Sequence, residues 1–222
     1  TGAHGGFDNV EVIDAKSKQI PVMTQGEAIG VFMKGENFGK KFKGISVTGT
    51  HGKTTTTAML ATVLTENNFD PSFVIGTGNV GSLSSPGHFG KGSYFVAEAD
   101  EYITEPQYDK TIKFMWQHPQ FAIFTNIEYD HPDVYSSIDD VREAFSSFIK
   151  NIDPRGALIA FGDDREIQKI ITQSKTRVLT YGFHTTNNFV LKKVSISGDH
   201  TFFWVESNGT SLGEFAIKVP GE

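Results

Sequence analysis

Short apolar runs alternate with longer segments of mixed polarity along residues 43–182. The runs at 44–49 (GISVTG), 72–76 (SFVIG), 93–100 (SYFVAEAD), 121–127 (FAIFTNI), 156–162 (GALIAFG) and 177–182 (RVLTYG) are mostly apolar in succession and rich in β-branched and aromatic side chains. Runs of that length predict strands buried on both faces. Between them, 54–68 (TTTTAMLATVLTENN), 141–152 (VREAFSSFIKNI) and 165–174 (REIQKIITQS) predict helices. The alternation predicts an α/β fold, a parallel sheet flanked by helices. After about residue 187 the apolar period changes to two. Segments 188–197, 200–207 and 210–219 are joined by the turn signals Gly198-Asp199 and Asn208-Gly209, which predicts a small antiparallel β meander at the C-terminal end. Ahead of the core, 9–19 reads as a weakly amphipathic helix, 20–24 (IPVMT) as a strand, 26–34 as a helix and 37–44 (NFGKKFKG) as a basic linker.

The 222 residues carry a formal charge of −6, which argues against a dedicated nucleic-acid surface. Any phosphate must then be held by local groups. No run of about 18 apolar residues exists, so no helix is expected to span a membrane. There is no cysteine, which excludes disulfides and thiolate metal sites and fits a cytoplasmic location. No export leader is visible. The chain opens at Thr1 inside a folded pattern, and is expected to be a piece of a longer protein.

The segment Gly49-Thr50-His51-Gly52-Lys53-Thr54 approaches the phosphate-loop pattern G-x-x-x-x-G-K-[ST], but Val47 stands at the first glycine. The surroundings are nevertheless those a phosphate loop needs. A buried strand ends in glycines, a helix begins, and a lysine sits at the turn. Gly49 and Gly52 allow close backbone approach to phosphate oxygens. The helix start presents its positive end to an anion. Lys53 adds a charge near the β/γ-phosphates, and Thr54 offers Mg²⁺ a hydroxyl. The bland alternative is a glycine turn capped by threonines. A second glycine motif, 76–81 (GTGNVG), matches G-x-G-x-x-G, but no helix follows it, so NAD binding is rejected and the segment is read as a loop near the site.

A nucleoside triphosphate needs a metal, and the metal needs oxygen ligands. Glu98, Asp100 and Glu101 follow one predicted strand; Asn126, Glu128, Asp130, His131 and Asp133 follow another. Both groups lie at the carboxyl ends of parallel strands, where open α/β sheets bind ligands. Each alone would read as a solvated acidic loop. His131 is the histidine singled out, His51 the second; His4, His88, His118, His184 and His200 belong to no constellation. Asp163 with Glu166 three residues on reads as a capping box.

Taken together, the loop at 49–54, Glu98-Ala99-Asp100-Glu101 and the 125–131 stretch (TNIEYDH) resemble the central ATPase domain of the Mur ligases. The resemblance covers most of 43–221 and makes the short loop a family trait. It implies that residues 1–36 are the remnant of an N-terminal UDP-sugar-binding domain, that 37–222 form the central ATP-binding domain, and that the C-terminal amino-acid-binding domain lies outside this chain. The closing 219–222 (VPGE) resembles the start of the family's P-G-x-H-N segment. His51 in the loop resembles two branches: the one joining L-alanine to UDP-N-acetylmuramate and the murein tripeptide-recycling one. Other branches use a carbamylated lysine, and Phe145 aligns at its place. TTTTAML, TNIE and Tyr135 resemble the alanine branch, whereas EADEY and the long gap between Glu98 and His131 resemble the recycling branch; the first is favoured.

The resemblance implies an ATP- and Mg²⁺-dependent carboxylate–amine ligase working through an acyl phosphate in peptidoglycan precursor synthesis. Its small-molecule partners would be UDP-N-acetylmuramate and L-alanine. It implies that Gly49, Thr50, His51, Gly52, Lys53, Thr54, Thr55 and Asn126 bind nucleotide. Thr54 and Glu98 would hold one Mg²⁺, and Glu98 with His131 a second, making Lys53, Glu98 and His131 the catalytic set. The rival class is a P-loop ATPase or nucleotide-binding module without ligase activity. No guanine-reading N-K-x-D is present, and a kinase gives no reason for His131.

Overall fold

The computed structural model describes residues 5–218; His4 and the 219–222 segment lie outside the described residues. In chain order the elements are α1 (Val10–Ser17), α2 (Gln25–Lys34), β1 (Lys43–Thr48), α3 (Lys53–Glu66), β2 (Ser72–Val74), β3 (Gly87–His88), β4 (Tyr94–Glu98), β5 (Ile103–Glu105), β6 (Asp109–Ile112), β7 (Phe121–Phe124), α4 (Ile138–Ile149), β8 (Ala157–Phe161), α5 (Arg165–Ile171), β9 (Arg177–Gly182), β10 (Phe189–Ser197), β11 (His200–Ser207) and β12 (Thr210–Ile217). Ten strands form one sheet in the order β12-β11-β10-β9-β8-β7-β1-β4-β2-β3. Pairing is parallel from β2 through β10. It turns antiparallel at β3 and across β10–β12. The C-terminal meander therefore extends the main sheet rather than forming a separate unit.

Both faces of the central strands are covered, which is why their sequences are apolar in succession. On β4, Val96 joins Ile45, Ala61 and Phe73 beneath α3, while its neighbours Phe95 and Ala97 meet Met33 of α2 on the other face. The larger core lies under α4 and α5. There Phe145 and Phe148 of α4 pack on Phe114 and Phe124, with ring centroids 4.7–6.1 Å apart. In α4, Val141, Ala144, Phe145, Phe148 and Ile149 are buried at helical spacing, and Ser137 caps its first turn. In α3, whose threonine run favours strands, Thr57 and Thr65 donate to the carbonyls four residues back, at 2.8 Å each.

Two local expectations are corrected. Residues 20–24 form no strand: Pro21 removes a donor, and Thr24 instead closes a capping box with Glu27 at the start of α2. The cap of α5 is Asp164, whose Oδ1 accepts from Glu166 N and Ile167 N at 2.8 and 2.9 Å, while its Oδ2 takes the amide of buried Ile127. Asp163 turns the other way and accepts from Phe183, His184 and Asn187, which holds the turn after β9. No helix among the described residues is long and apolar enough to cross a membrane.

Candidate functional site

Strand β1 ends mid-sheet, and the chain turns through 49–52 into α3. Gly49 takes φ 136°, and a Cβ there would lie 2.0 Å from Thr125 Oγ1. Gly52 takes φ 80° and precedes α3 without offering a side-chain cap; a Cβ there would meet nothing within 4 Å. The first-turn amides of Lys53, Thr54 and Thr55 lack acceptors inside the helix. A positive helix end with free donors beside open space is an anion cradle. Val47 sits fully buried within β1, so the loop is short because it begins only at Gly49.

The stretch after β7 braces this loop. Thr50 N donates to Asn126 O (3.1 Å) and His51 N to Asn126 Oδ1 (2.8 Å). The carbonyl of His51 accepts from Thr125 Oγ1 (2.6 Å) and Asn126 Nδ2 (3.0 Å), and Glu128 N donates to Thr50 Oγ1 (2.8 Å). The side chains of Thr50 and Asn126 are thus engaged in shaping the loop. The His51 ring is exposed, 3.7 Å from Glu128 Oε2. Thr55 is exposed at the helix start.

Lys53 folds back over the loop. Its Nζ donates to Gly49 O (2.7 Å), Thr50 O (3.2 Å) and Glu101 Oε1 (2.9 Å). It also lies 2.8 Å from Glu101 Oε2, but without hydrogen-bond geometry, and that buried oxygen has no hydrogen bond. Glu101 is 2% exposed, and burial raises its carboxyl above the usual range against the opposing pull of Lys53. Tyr135 fixes the same residue by donating from its hydroxyl to Glu101 O at 2.5 Å. Burial, then the charges of Glu101 and Asp100, push that phenol upward.

Thr54 Oγ1 donates to Glu98 Oε2 at 3.1 Å, and Gly76 N reaches Glu98 Oε1 at 2.5 Å. The glycine loop rejected for NAD therefore contributes to the floor of the site, and the next element after it is the short β3 rather than a helix. Gln117, 1% exposed, anchors the end of β4: its Nε2 donates to Glu98 O (2.7 Å) and its Oε1 accepts from Ser46 Oγ (2.5 Å).

His131 takes φ 56°, a left-handed conformation uncommon for a non-glycine residue, and Asp130 Oδ1 accepts its amide at 2.7 Å. Its Nε2 lies 3.7 Å from Glu101 Oε1 and 3.8 Å from Asp130 Oδ2, and its ring packs 4.9 Å from that of Tyr102. The structure thus brings Lys53, Glu101 and His131 together, and Thr54 with Glu98. Glu98 is not within ion-pairing distance of His131. Among the described residues no three His, Cys, Asp or Glu are arranged to hold a metal by themselves. The Thr54–Glu98 pair does fit Mg²⁺ in a triphosphate site, where one carboxylate suffices because phosphate and water complete the shell.

Glu101 as the partner of Lys53, and Gln117 as the anchor of Glu98, were not legible in the sequence. The signal for Glu101 was its place beside Glu98 in E-A-D-E; Gln117 left none. Phe145, at the place where a carbamylated lysine would stand, is fully buried among aromatic rings.

Residues 47–222 match the family model described as Mur ligase middle domain. The chain is 38% identical over 215 residues to the UDP-N-acetylmuramate–L-alanine ligase of Syntrophotalea carbinolica, covering 97% of this chain and 44% of that protein. It is similar to the crystal structure of the UDP-N-acetylmuramate–alanine ligase MurC of Thermotoga maritima (29% identity, TM-score 0.75, 97% of this chain and 45% of that one). The fold alone is shared with the UDP-N-acetylmuramate:L-alanyl-gamma-D-glutamyl-meso-diaminopimelate ligase of Neisseria meningitides (23% identity, TM-score 0.79, 96% and 66%). The chain spans about 44% of the length of the curated relatives it matches.

Proposed function

From the premise that this chain belongs to the Mur ligase family, as its middle domain, we propose that it is the ATP-binding part of an enzyme joining L-alanine to UDP-N-acetylmuramate. The observation that carries the reading is the open start of α3, with Lys53 on one side and the Thr54–Glu98 pair on the other. Similarity at 36–38% identity to proteins named for that reaction supports this branch. Residues 1–36 are read as the end of a UDP-sugar-binding domain and 37–222 as the central domain. The same reading puts the enzyme in the cytoplasm.

In this reading the lactyl carboxylate of the sugar attacks the γ-phosphate of ATP and ADP departs. The amine of L-alanine then attacks the acyl phosphate carbon, and phosphate leaves. Lys53 and the first-turn amides of α3 hold the β/γ-phosphates, and Gly49 and Gly52 let the backbone approach them. Thr54 and Glu98 would hold Mg²⁺, which when bound neutralises phosphate charge. His131, on the far side of Glu101, faces the place where the second anion arrives. We assign it to the carboxylate side, as ligand to a second ion. The test is ADP release by the full-length protein. It should require UDP-N-acetylmuramate and L-alanine together and yield the amide. Release independent of the sugar acid would favour a plain ATPase, and a requirement for a tripeptide in place of alanine would favour the recycling reaction.

A further inference from the structure

At the end of the sheet opposite the phosphate loop, the parallel strands begin. Lys43 starts β1, Ser93 and Gln120 precede β4 and β7, and Arg155 precedes β8. At about 3.3 Å per residue of strand, this edge lies roughly 17 Å from Thr48. A cavity of about 690 Å³ opens there between α2, the 36–42 segment and the strand starts. A second, of about 590 Å³, shares His118, Asp153 and Arg155 with it.

The charge around these cavities runs against that of the whole chain. Lys34, Lys40, Lys41, Lys43, Lys150 and Arg155 line them, six of the chain's 20 Lys and Arg, against only Glu36 and Asp153 among 26 carboxylates. Asp153 is already held by Arg155 at 2.7 Å, and the bonds from Arg155 keep its carboxyl low, at about 2. Lys40 donates to Gly90 O and lies over the rings of Phe42 and Phe89, and Lys43 lies over Tyr94. Among the described residues the side chains of Lys34, Lys41 and Lys150 make no hydrogen bond or ion pair, and those of Ser93, His118 and Gln120 make no hydrogen bond. Like charges gathered in a concave site raise the local potential and concentrate counter-ions. The uncommitted hydroxyl and amide supply neutral donors beside them.

We propose that this basic cavity is a binding site, separate from the phosphate loop, for a small multiply charged phosphate-type anion. The larger cavity gathers Lys34, Lys40, Lys41, Lys43 and Arg155 against Glu36 and Asp153, so a monovalent ion is outnumbered, and a half-open hollow bounded by α2, the 36–42 segment and the strand starts favours a compact ligand over a polymer. The proposal is independent of the ligase reading, since none of these residues belongs to that site.

His118 is a built-in reporter. Partial desolvation, then the charge of Lys34, hold its imidazole below the usual value although the residue is exposed. The charged groups lining the cavities with it are Lys34 on α2, Glu36, Lys40 and Lys41 between α2 and β1, Lys43 at the start of β1, Lys150 just after α4, and Asp153 and Arg155 ahead of β8. An anion among these cations favours imidazolium and raises its pKa. The experiment is a titration of the 222-residue chain with sodium pyrophosphate, at ionic strength fixed with chloride, read by NMR. Saturable shifts are expected at the His118 ring and the amides of 40–44, with a rise in the His118 pKa. The double variant Lys34→Glu/Lys41→Glu should weaken this response tenfold or more while leaving shifts at 49–55 in place. Lys53→Ala should leave it unchanged. Shifts confined to 49–55, a linear response reproduced by chloride, or equal affinity in a folded double variant would overturn the proposal.

Discussion

Replacing Glu101 by Gln keeps the side chain's shape and removes one buried negative charge. At 2.8 Å, with an effective dielectric near 20, attraction to Lys53 Nζ is worth about 6 kcal/mol before desolvation. Taking the carboxylate out of water costs several kcal/mol. Its Oε2 lacks a hydrogen bond, and its pKa is raised, so the balance at this site falls against the ion. A raised folded pKa means that the stability contributed by this group is present below the unfolded value and lost as pH rises through the folded one. Glu101→Gln should therefore melt no lower than the parent chain at pH 7, and its advantage should shrink as pH falls through the raised value of Glu101 and be gone once pH is below the ordinary carboxylate value. Nucleotide binding should respond more strongly. In the proposed complex Lys53 exchanges Glu101 for phosphate, and Glu101 repels the same phosphates. The variant loses both obstacles, so its affinity for ADP should rise at least tenfold, about 1.4 kcal/mol. Calorimetric titration of ADP and melting curves from pH 4 to 8 read the two effects. Weaker ADP binding together with a lower melting temperature at pH 7 would show that Glu101 supports the loop rather than restraining it, and would refute this account.

The other expectations can be checked alongside. His131→Ala in the full-length protein should slow acyl-phosphate formation about a hundredfold, about 2.7 kcal/mol, with ATP affinity changed far less; equal losses in both would remove His131 from the carboxylate side. Phe145→Ala should lose about 3–5 kcal/mol of stability because it empties a fully buried aromatic site, read as a drop in denaturant midpoint at unchanged m. The buried ring at 145 also leads us to expect that stripping bicarbonate from the assay leaves full-length activity unchanged, and loss with rescue by bicarbonate would contradict it. Asp164→Ala should cost roughly 2–4 kcal/mol, since it uncaps α5 and strands the amide of Ile127.

Periodicity carried the core of the fold because each central strand is covered on both faces and each helix buries one stripe. From β1 to β12 the predicted segments fall on the observed strands and helices to within a few residues. Periodicity failed where an element is too short to repeat. The β3 bridge to β2 is two residues long, and β5 and β6 pair in a hairpin of three and four. Pattern reading also placed the strand 20–24 where a proline and a helix cap decide the conformation locally. The phosphate loop was legible because its chemistry is consecutive: strand, glycine, lysine, helix.

The rest of the site was illegible for a different reason. The partner of Lys53 lies 48 residues away, the brace of Thr50 and His51 about 75, and the link from Ser46 to Gln117 is 71 residues long. Only the register of β4 and β7 on either side of β1 brings these groups together, with Val47 opposite both Glu98 and Ile123. Because side chains alternate along a strand, a one-residue slip of β4 on β1 would turn Glu98 away from Thr54, and one of β7 on β1 would displace the brace of the loop. The placement of the carboxylates thus depends on the same buried contacts that fix the sheet, among them Val96 against Ile45 and Phe124 against Phe148. Residue types in E-A-D-E and T-N-I-E-Y-D-H announce which chemistry is available. Which carboxylate meets which cation is settled by packing two faces deep in the sheet, and that is why Glu101 rather than Glu98 stands between Lys53 and His131.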